Sequence, residues 1–408
     1  MNIKPFAALL PKPELAGRIC ELPYDVMSTA EARSMAAGNP LSFLHVSKPE
    51  IDLPAETNPY DPKVYAQGRK SFLELIQQGA LGRAQGPAFY LYRQATKEHR
   101  QLGLVALASC DEYRRGIIKK HELTRPDKED DRVRHIETLE AQTGPAFLFY
   151  RSEGGLESFL ENLASSRPHA TDFQAPDGVR HTSWVLPGSD SRLMASLGAF
   201  LAELPSLYIA DGHHRTAAAE RAARSQPANP AAAGFLSVIF PHRQLRILPY
   251  NRVLKDLNGN SEAQLLEKLE RSFQIEQPGS ARPQTRHELG LYLGKSWRTL
   301  RFRPHLTATG DPFETLDVTL LQKQVLAPIF DVDDPRTSQR ISFVGGIRGP
   351  EELERLVDRG ESACAFSMFP TAIEELMTIA DRGGIMPPKS TWFEPKLRDG
   401  MFCHWIGK

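Results

Sequence analysis

Apolar positions recur at helical spacing along Val64–Gln78, whereas Ala88–Arg93, Leu102–Cys110, Pro145–Tyr150 and Gly234–Phe240 are apolar runs of strand length. Further strands are expected at Asn2–Leu10, Phe43–Ser47 and Leu207–Ala210. Helices are expected over Thr29–Ala37, Asp127–Ala141, Ser152–Ser166, Ser191–Glu203 and Thr216–Arg224; Arg167–Ser206 otherwise reads as loop. Gly234–Phe240 and Gln244–Pro249 read as a hairpin about Pro241-His242-Arg243. From Ser261 the pattern changes. A helix over Ser261–Phe273 leads into a Pro-, Gly- and Ser-containing stretch, Gln277–Gln284, so regions 1–260 and 261–408 are expected. The later chain reads as strands at Leu289–Leu293, Trp297–Phe302, Ile341–Val344 and Ser362–Met368, and helices at Leu316–Ala327, Glu351–Asp358 and Thr371–Arg382. Thr371 and Glu374 fit a capping box on the last of these, and a hairpin is expected to turn at Asp399-Gly400. Strands interleaved with helices in this way predict a mixed α/β (α+β) fold.

Composition narrows the class only a little. The chain has 408 residues, 41% of them hydrophobic, and its formal charges cancel. Neutrality gives no general attraction to nucleic acid or to anionic membrane. No apolar run approaches the ~20 residues of a membrane span. Residues Met1–Pro13 lack the pattern of a secretory leader. Four dispersed cysteines without a CxxC pair fit reduced thiols in a cytoplasmic protein.

Candidate chemistry concentrates at Asp211-Gly212-His213-His214-Arg215-Thr216, between a buried strand and an Ala-rich helix. The first turn of a helix carries N–H groups without intrahelical acceptors, and its dipole favours an anion there. Arg215 adds a guanidinium that grips phosphate oxygens as a fork. His213 and His214 add donors that titrate near neutrality. Asp211 is placed to hold a metal ion or to orient a hydroxyl.

A second polar loop, Lys119–Arg125, sits between a strand ending near Ile118 and the helix from Asp127. Glu122 there is a candidate general base, with His121 beside it. The zinc-protease pattern HExxH is broken, because Arg125 stands where the second His would be. Near the C-terminus, Lys389-Ser390-Thr391 follows two prolines and could bind a carboxylate or phosphate. The Pro-rich loop Lys48–Asp61 is long for a compact domain, and such loops are more often functional than idle. Walker A, GxGxxG, kinase DFG and GxSxG motifs are all absent from the sequence, so phosphate chemistry would need a different cradle.

The string Ile209-Ala210-Asp211-Gly212-His213-His214-Arg215 resembles the DGHHR signature of a prokaryotic family known as domain of unknown function 1015. The resemblance extends over Pro23-Tyr24-Asp25-Val26, Phe43–Ser47, Lys120–Arg132, Asp334-Pro335-Arg336, Val344-Gly345-Gly346 and Met386–Phe393, nearly the whole chain. The corner is also similar to that of the ParB/sulfiredoxin-like fold, whose free L-serine kinases place a Glu base upstream of an Asp-Gly-x-His-Arg corner. The resemblance implies a ParB/sulfiredoxin-like core with large insertions and a C-terminal α/β extension. It further implies a kinase forming O-phosphoserine from free L-serine, with ATP, ADP or pyrophosphate as donor and Mg²⁺ aided by Asp211. Glu122, His121 and Asp211 would be catalytic. Gly212, His213, His214, Arg215 and Thr216 would hold phosphates, and Lys389, Ser390 and Thr391 the amino acid. The partners implied are therefore a small amino acid and a nucleotide, with a homodimer left open. A DNA-gripping partition module would require a basic helix-turn-helix region, which is not found in this neutral chain. A metabolite sensor with the same pocket but without catalysis remains the competing class.

Overall fold

The computed structural model describes residues 1–407. Two compact units emerge from the packing. Among the described residues, 1–120, 124–245 and 395–407 form the first, and residues 121–123 and 246–394 the second. The expected change of region at 261 thus falls after strands that already pack in the second unit, and the last residues belong with the first.

The first unit is built on a nine-stranded mixed sheet. Its order runs Ile118–Lys119, Leu207–Asp211, Ala146–Tyr150, Gly234–Pro241, Arg100–Ser109, Ala88–Ala95, Arg180–Pro187, Thr171–Gln174, with Ile3–Lys4 joined to Arg100–Ser109. Two pairings are parallel, Leu207–Asp211 with Ile118–Lys119 and Gly234–Pro241 with Ala146–Tyr150. The central strands are buried on both faces, which is why they read as continuous apolar runs. Helices Pro126–Leu139 and His213–Ser225 pack together, tied by Arg221 to Asp130 at 2.7 Å and to Glu129 at 3.3 Å. Asp61 caps helix Pro62–Gln77 by accepting from the Lys63 N–H at 3.0 Å, and Ser28 and Glu31 form a capping box on Thr29–Ala36.

The second unit carries a six-stranded antiparallel sheet, in the order Phe273–Glu276, Ser296–Phe302, Glu288–Leu293, Cys364–Met368, Tyr250–Leu254, Ile341–Gly345. A short ladder joins Arg246–Leu248 to Trp392–Glu394. No helix among the described residues is long and apolar enough to cross a membrane.

Several expected elements differ. Phe43–Ser47 is not a strand; Leu44–Ser47 is one helical turn. Phe43 and Val46, three apart, join a cluster with Phe72, while Leu44 faces Ala32, Ala36 and Ile51. Two separate cores on a helical period impose the turn. The hairpin about Pro241–Arg243 does not form, because Arg246–Leu248 pairs with Trp392–Glu394 instead. Nor is there a hairpin at Asp399-Gly400; His404–Trp405 pairs with Ala141–Gln142. The Thr371–Glu374 capping box is replaced. Helix Ile373–Asp381 starts one residue later, the Glu375 carboxylate accepts from the Ala372 N–H at 2.9 Å, and the Thr371 hydroxyl donates to the Ser390 carbonyl at 3.0 Å.

Candidate active site

Strand Leu207–Asp211 shifts register against Ala146–Tyr150 between Ile209 and Asp211. Such a bulge re-aims a side chain that regular alternation would point elsewhere. Gly212 follows at φ +91°, capping helix His213–Ser225. A side chain there would be strained, and its Cβ would lie 3.3 Å from the Ala146 Cα. The corner foreseen from Asp211 to Arg215 is therefore a strand end, a glycine and a helix start.

Asp211 is held from two sides. Its Oδ1 accepts from the Gly212 N–H at 2.8 Å, and its Oδ2 accepts from Lys396 Nζ at 2.9 Å. Burial opposes its charge, but the Lys396 and Arg215 cations prevail and hold the carboxyl well below the usual carboxylate range. Arg215 Nη1 donates to the Pro145 carbonyl at 2.6 Å, and its Nη2 lies 3.4 Å from the Asp25 carboxylate. Burial works against this guanidinium too, yet Asp25, Asp399 and Asp211 keep it charged. His214 Nε2 accepts from the Arg125 N–H at 3.1 Å. That bond assigns the lone pair to Nε2 and ties the corner to the start of helix Pro126–Leu139. Thr216 is wholly buried and donates to the His213 carbonyl at 2.9 Å, so its hydroxyl serves the helix.

Behind the corner lies a cavity of about 30 Å³ with a mixed lining, polar at Tyr24, Arg132, Arg215 and Asp399 and apolar at Phe235 and Leu236. That is room for a water or two, not for a substrate. Arg132 stacks 3.9 Å from the Tyr24 ring centroid and is gripped by Asp131 at 2.7 Å. Asp399 is buried against Gly144. Burial, helped by Asp25, pushes its carboxyl up to about 7 despite Arg215 and Arg132.

A raised carboxyl pKa has a definite sign in stability. Between the ordinary carboxylate range and about 7 the folded chain binds the proton that the unfolded chain has released. Asp399 therefore weakens the fold as pH rises through that window. Asp399→Asn should raise the melting temperature at pH 8 and change it little at pH 4. An equal shift at both values would exclude titration of Asp399 as the cause.

In the second unit, His121 is buried and its carbonyl accepts from the Met386 N–H at 2.7 Å. Its Nε2 lies 3.5 Å from the Thr391 hydroxyl, which brings the HisGlu loop and the Lys389–Thr391 loop together. Lys389 adopts φ +58°, and its ammonium sits 5.3 Å from the Tyr250 ring centroid. The Ser390 hydroxyl donates to the Pro387 carbonyl at 2.6 Å. Glu122 is half-buried.

Sequence reasoning did not single out Asp25, Arg132, Lys396 or Asp399. Asp25 and Arg132 lie in segments that carry the family resemblance, a signal that could have found them. Lys396 and Asp399 have no local signal, since their partners are far away along the chain.

A profile of the family described as "Protein of unknown function (DUF1015)" matches residues 3–319. A search of curated proteins found no match. Among solved structures the chain is similar to a free serine kinase in complex with AMP, at 14% identity and TM-score 0.37, covering 71% of this chain and 86% of that one. It is similar to SbnI with C-terminal truncation from Staphylococcus aureus, at 11% identity and TM-score 0.39, covering 72% and 85%. It is also similar to a conserved hypothetical protein from Pyrococcus furiosus, at 15% identity and TM-score 0.35, covering 72% and 93%. The family profile spans most of the chain and includes the whole Asp211–Arg215 corner, and the protein belongs to the DUF1015 family.

Proposed function

We propose that the protein is a phosphotransferase that forms O-phosphoserine from free L-serine, with ATP, ADP or pyrophosphate as donor, on a ParB/sulfiredoxin-like core. The observation that carries this reading is the corner itself: an ionised Asp211, a glycine-capped helix start, and the Lys396 and Arg215 cations beside them. In this reading the first-turn N–H groups, His213, His214 and Arg215 hold the donor's phosphates. Each Asp211 oxygen accepts one hydrogen bond in the structure and has a second lone pair to offer. A hard carboxylate of this kind suits Mg²⁺, which when bound neutralises charge on the donor's phosphates.

Glu122 takes the serine hydroxyl proton as the oxygen forms its bond to phosphorus and the donor's bridging P–O bond breaks. What supports this role is its setting between a strand, Ile118–Lys119, and a helix, Pro126–Leu139, just as Asp211–Arg215 lies where a strand hands over to a helix. His121 neighbours the base, and Lys389, Ser390 and Thr391 clamp the acceptor's carboxylate.

Lys389→Ala should raise the apparent KM for serine several-fold, with kcat little changed. Initial rates at varied serine decide it, and unaltered constants would make that loop structural. The reaction is tested by incubating the protein and Mg²⁺ with serine and each donor in turn, then measuring phosphoserine. Absence of product with every donor, together with absence of serine binding, overturns the reading.

A further inference from the structure

We propose that the second unit carries an anion-binding cleft of its own, suited to a small, multiply charged oxyanion of the phosphate or polycarboxylate kind. The cleft measures about 480 Å³, within the usual range for small-molecule sites. Three arginines from separate parts of the chain line it: Arg246 from the strand Arg246–Leu248, Arg282 from the loop before Glu288–Leu293, and Arg348 from the turn Gly346–Arg348. Guanidinium groups suit phosphate and carboxylate alike, because their forked donors match paired oxygens.

The backbone here is shaped for close approach. Gly346 packs on Pro249, where a Cβ would lie 2.7 Å from the proline Cδ. Gly349 adopts φ +70°, and helix Gly349–Asp358 begins at the cleft. Buried Asn251 and Ser367 contribute polar lining.

The cleft already meets one anion. The Glu351 carboxylate folds back over Gly349 and lies 3.6 Å from the Arg282 guanidinium. Both side chains are largely exposed, at 68% and 73%, so the pair is weak. A ligand bearing two or more charges would replace Glu351 there and engage the arginines together. The bounded volume and the presence of Glu351 favour a small molecule over a nucleic-acid strand.

Calorimetric titration of the full chain with inorganic phosphate, pyrophosphate, citrate and a short single-stranded oligonucleotide tests this. Saturable binding of phosphate or pyrophosphate identifies a phosphate-type ligand, and binding of citrate alone a polycarboxylate. Arg282→Ala should weaken that binding about ten-fold or more, and Glu351→Gln should tighten it. Arg282 is exposed, and an unchanged melting curve would verify that its variant folds. If none of the small anions binds, or if Arg282→Ala combined with Arg348→Ala leaves their affinity unchanged, the cleft is not an anion site. Preference for the oligonucleotide with the same arginine dependence would overturn the small-ligand assignment. These titrations involve no turnover, so failure of serine phosphorylation would leave this proposal standing.

Discussion

Glu122→Gln should cut kcat by about two to four orders of magnitude while leaving donor affinity nearly unchanged. A serine hydroxyl is a poor nucleophile at neutral pH, and a carboxylate beside it accepts the proton as the new bond forms. Glutamine keeps the shape and hydrogen-bonding reach but cannot take the proton. The remaining acceleration comes from alignment and from charge neutralisation at the donor's phosphates, neither of which Glu122 supplies in the proposed mechanism. Single-turnover rates alongside nucleotide-binding titrations separate the two contributions. A variant with wild-type turnover would remove Glu122 from the chemistry. One that lost donor binding as well would show a positioning effect rather than loss of a base.

Lys396→Met should cost on the order of 3 kcal/mol of stability, the lower end of what breaking a buried ion pair costs. The Lys396 side chain is 9% exposed and that of Asp211 30%. With the ammonium gone, Asp211 keeps the Gly212 N–H, and the Arg215 guanidinium is already committed to Pro145 and Asp25. The anion is then under-compensated in a largely buried place. Adding Asp211→Asn should restore much of the loss, giving a coupling energy in the double-mutant cycle. Melting of all four proteins measures it, and additive effects would mean that the pair contributes no mutual stabilisation. Lys396→Met should also weaken donor binding, because one of the corner's two cations is lost.

What could be read from the chain was local. The corner announced itself because its apolar strand, turn glycine, polar residues and Ala-rich helix are consecutive. Helices Ser191–Glu203 and Thr29–Ala36 were legible for the same reason, their caps being within the helix's own first turns. Strands Thr171–Gln174 and Arg180–Pro187 were hidden because inward positions are polar. His181 is fully buried, 2.7 Å from the Tyr92 hydroxyl, and accepts from Arg398 Nε at 3.2 Å. Alternation that puts His181 and Ser183 inside does not look like an amphipathic strand. Phe43–Ser47 failed differently. Five residues with apolar positions on both sides fit strand or helix alike, and tertiary packing chose. The cation beside Asp211 was beyond local reasoning altogether, since nothing around Lys396 marks it as a partner.

The return of residues 395–407 to the first unit also has a consequence for synthesis. Lys396 follows Asp211 by 185 residues. At about 5–20 residues per second, a translating ribosome adds that length in roughly 10–40 s. During this interval the nascent corner has its bulge, its glycine, its helix and Arg215, but neither the Lys396 ammonium that pairs with Asp211 nor the Asp399 that fills the space beside Gly144. The first unit therefore matures only after the second has been translated, and a chain stalled anywhere between them would leave Asp211 with one of its two cations missing.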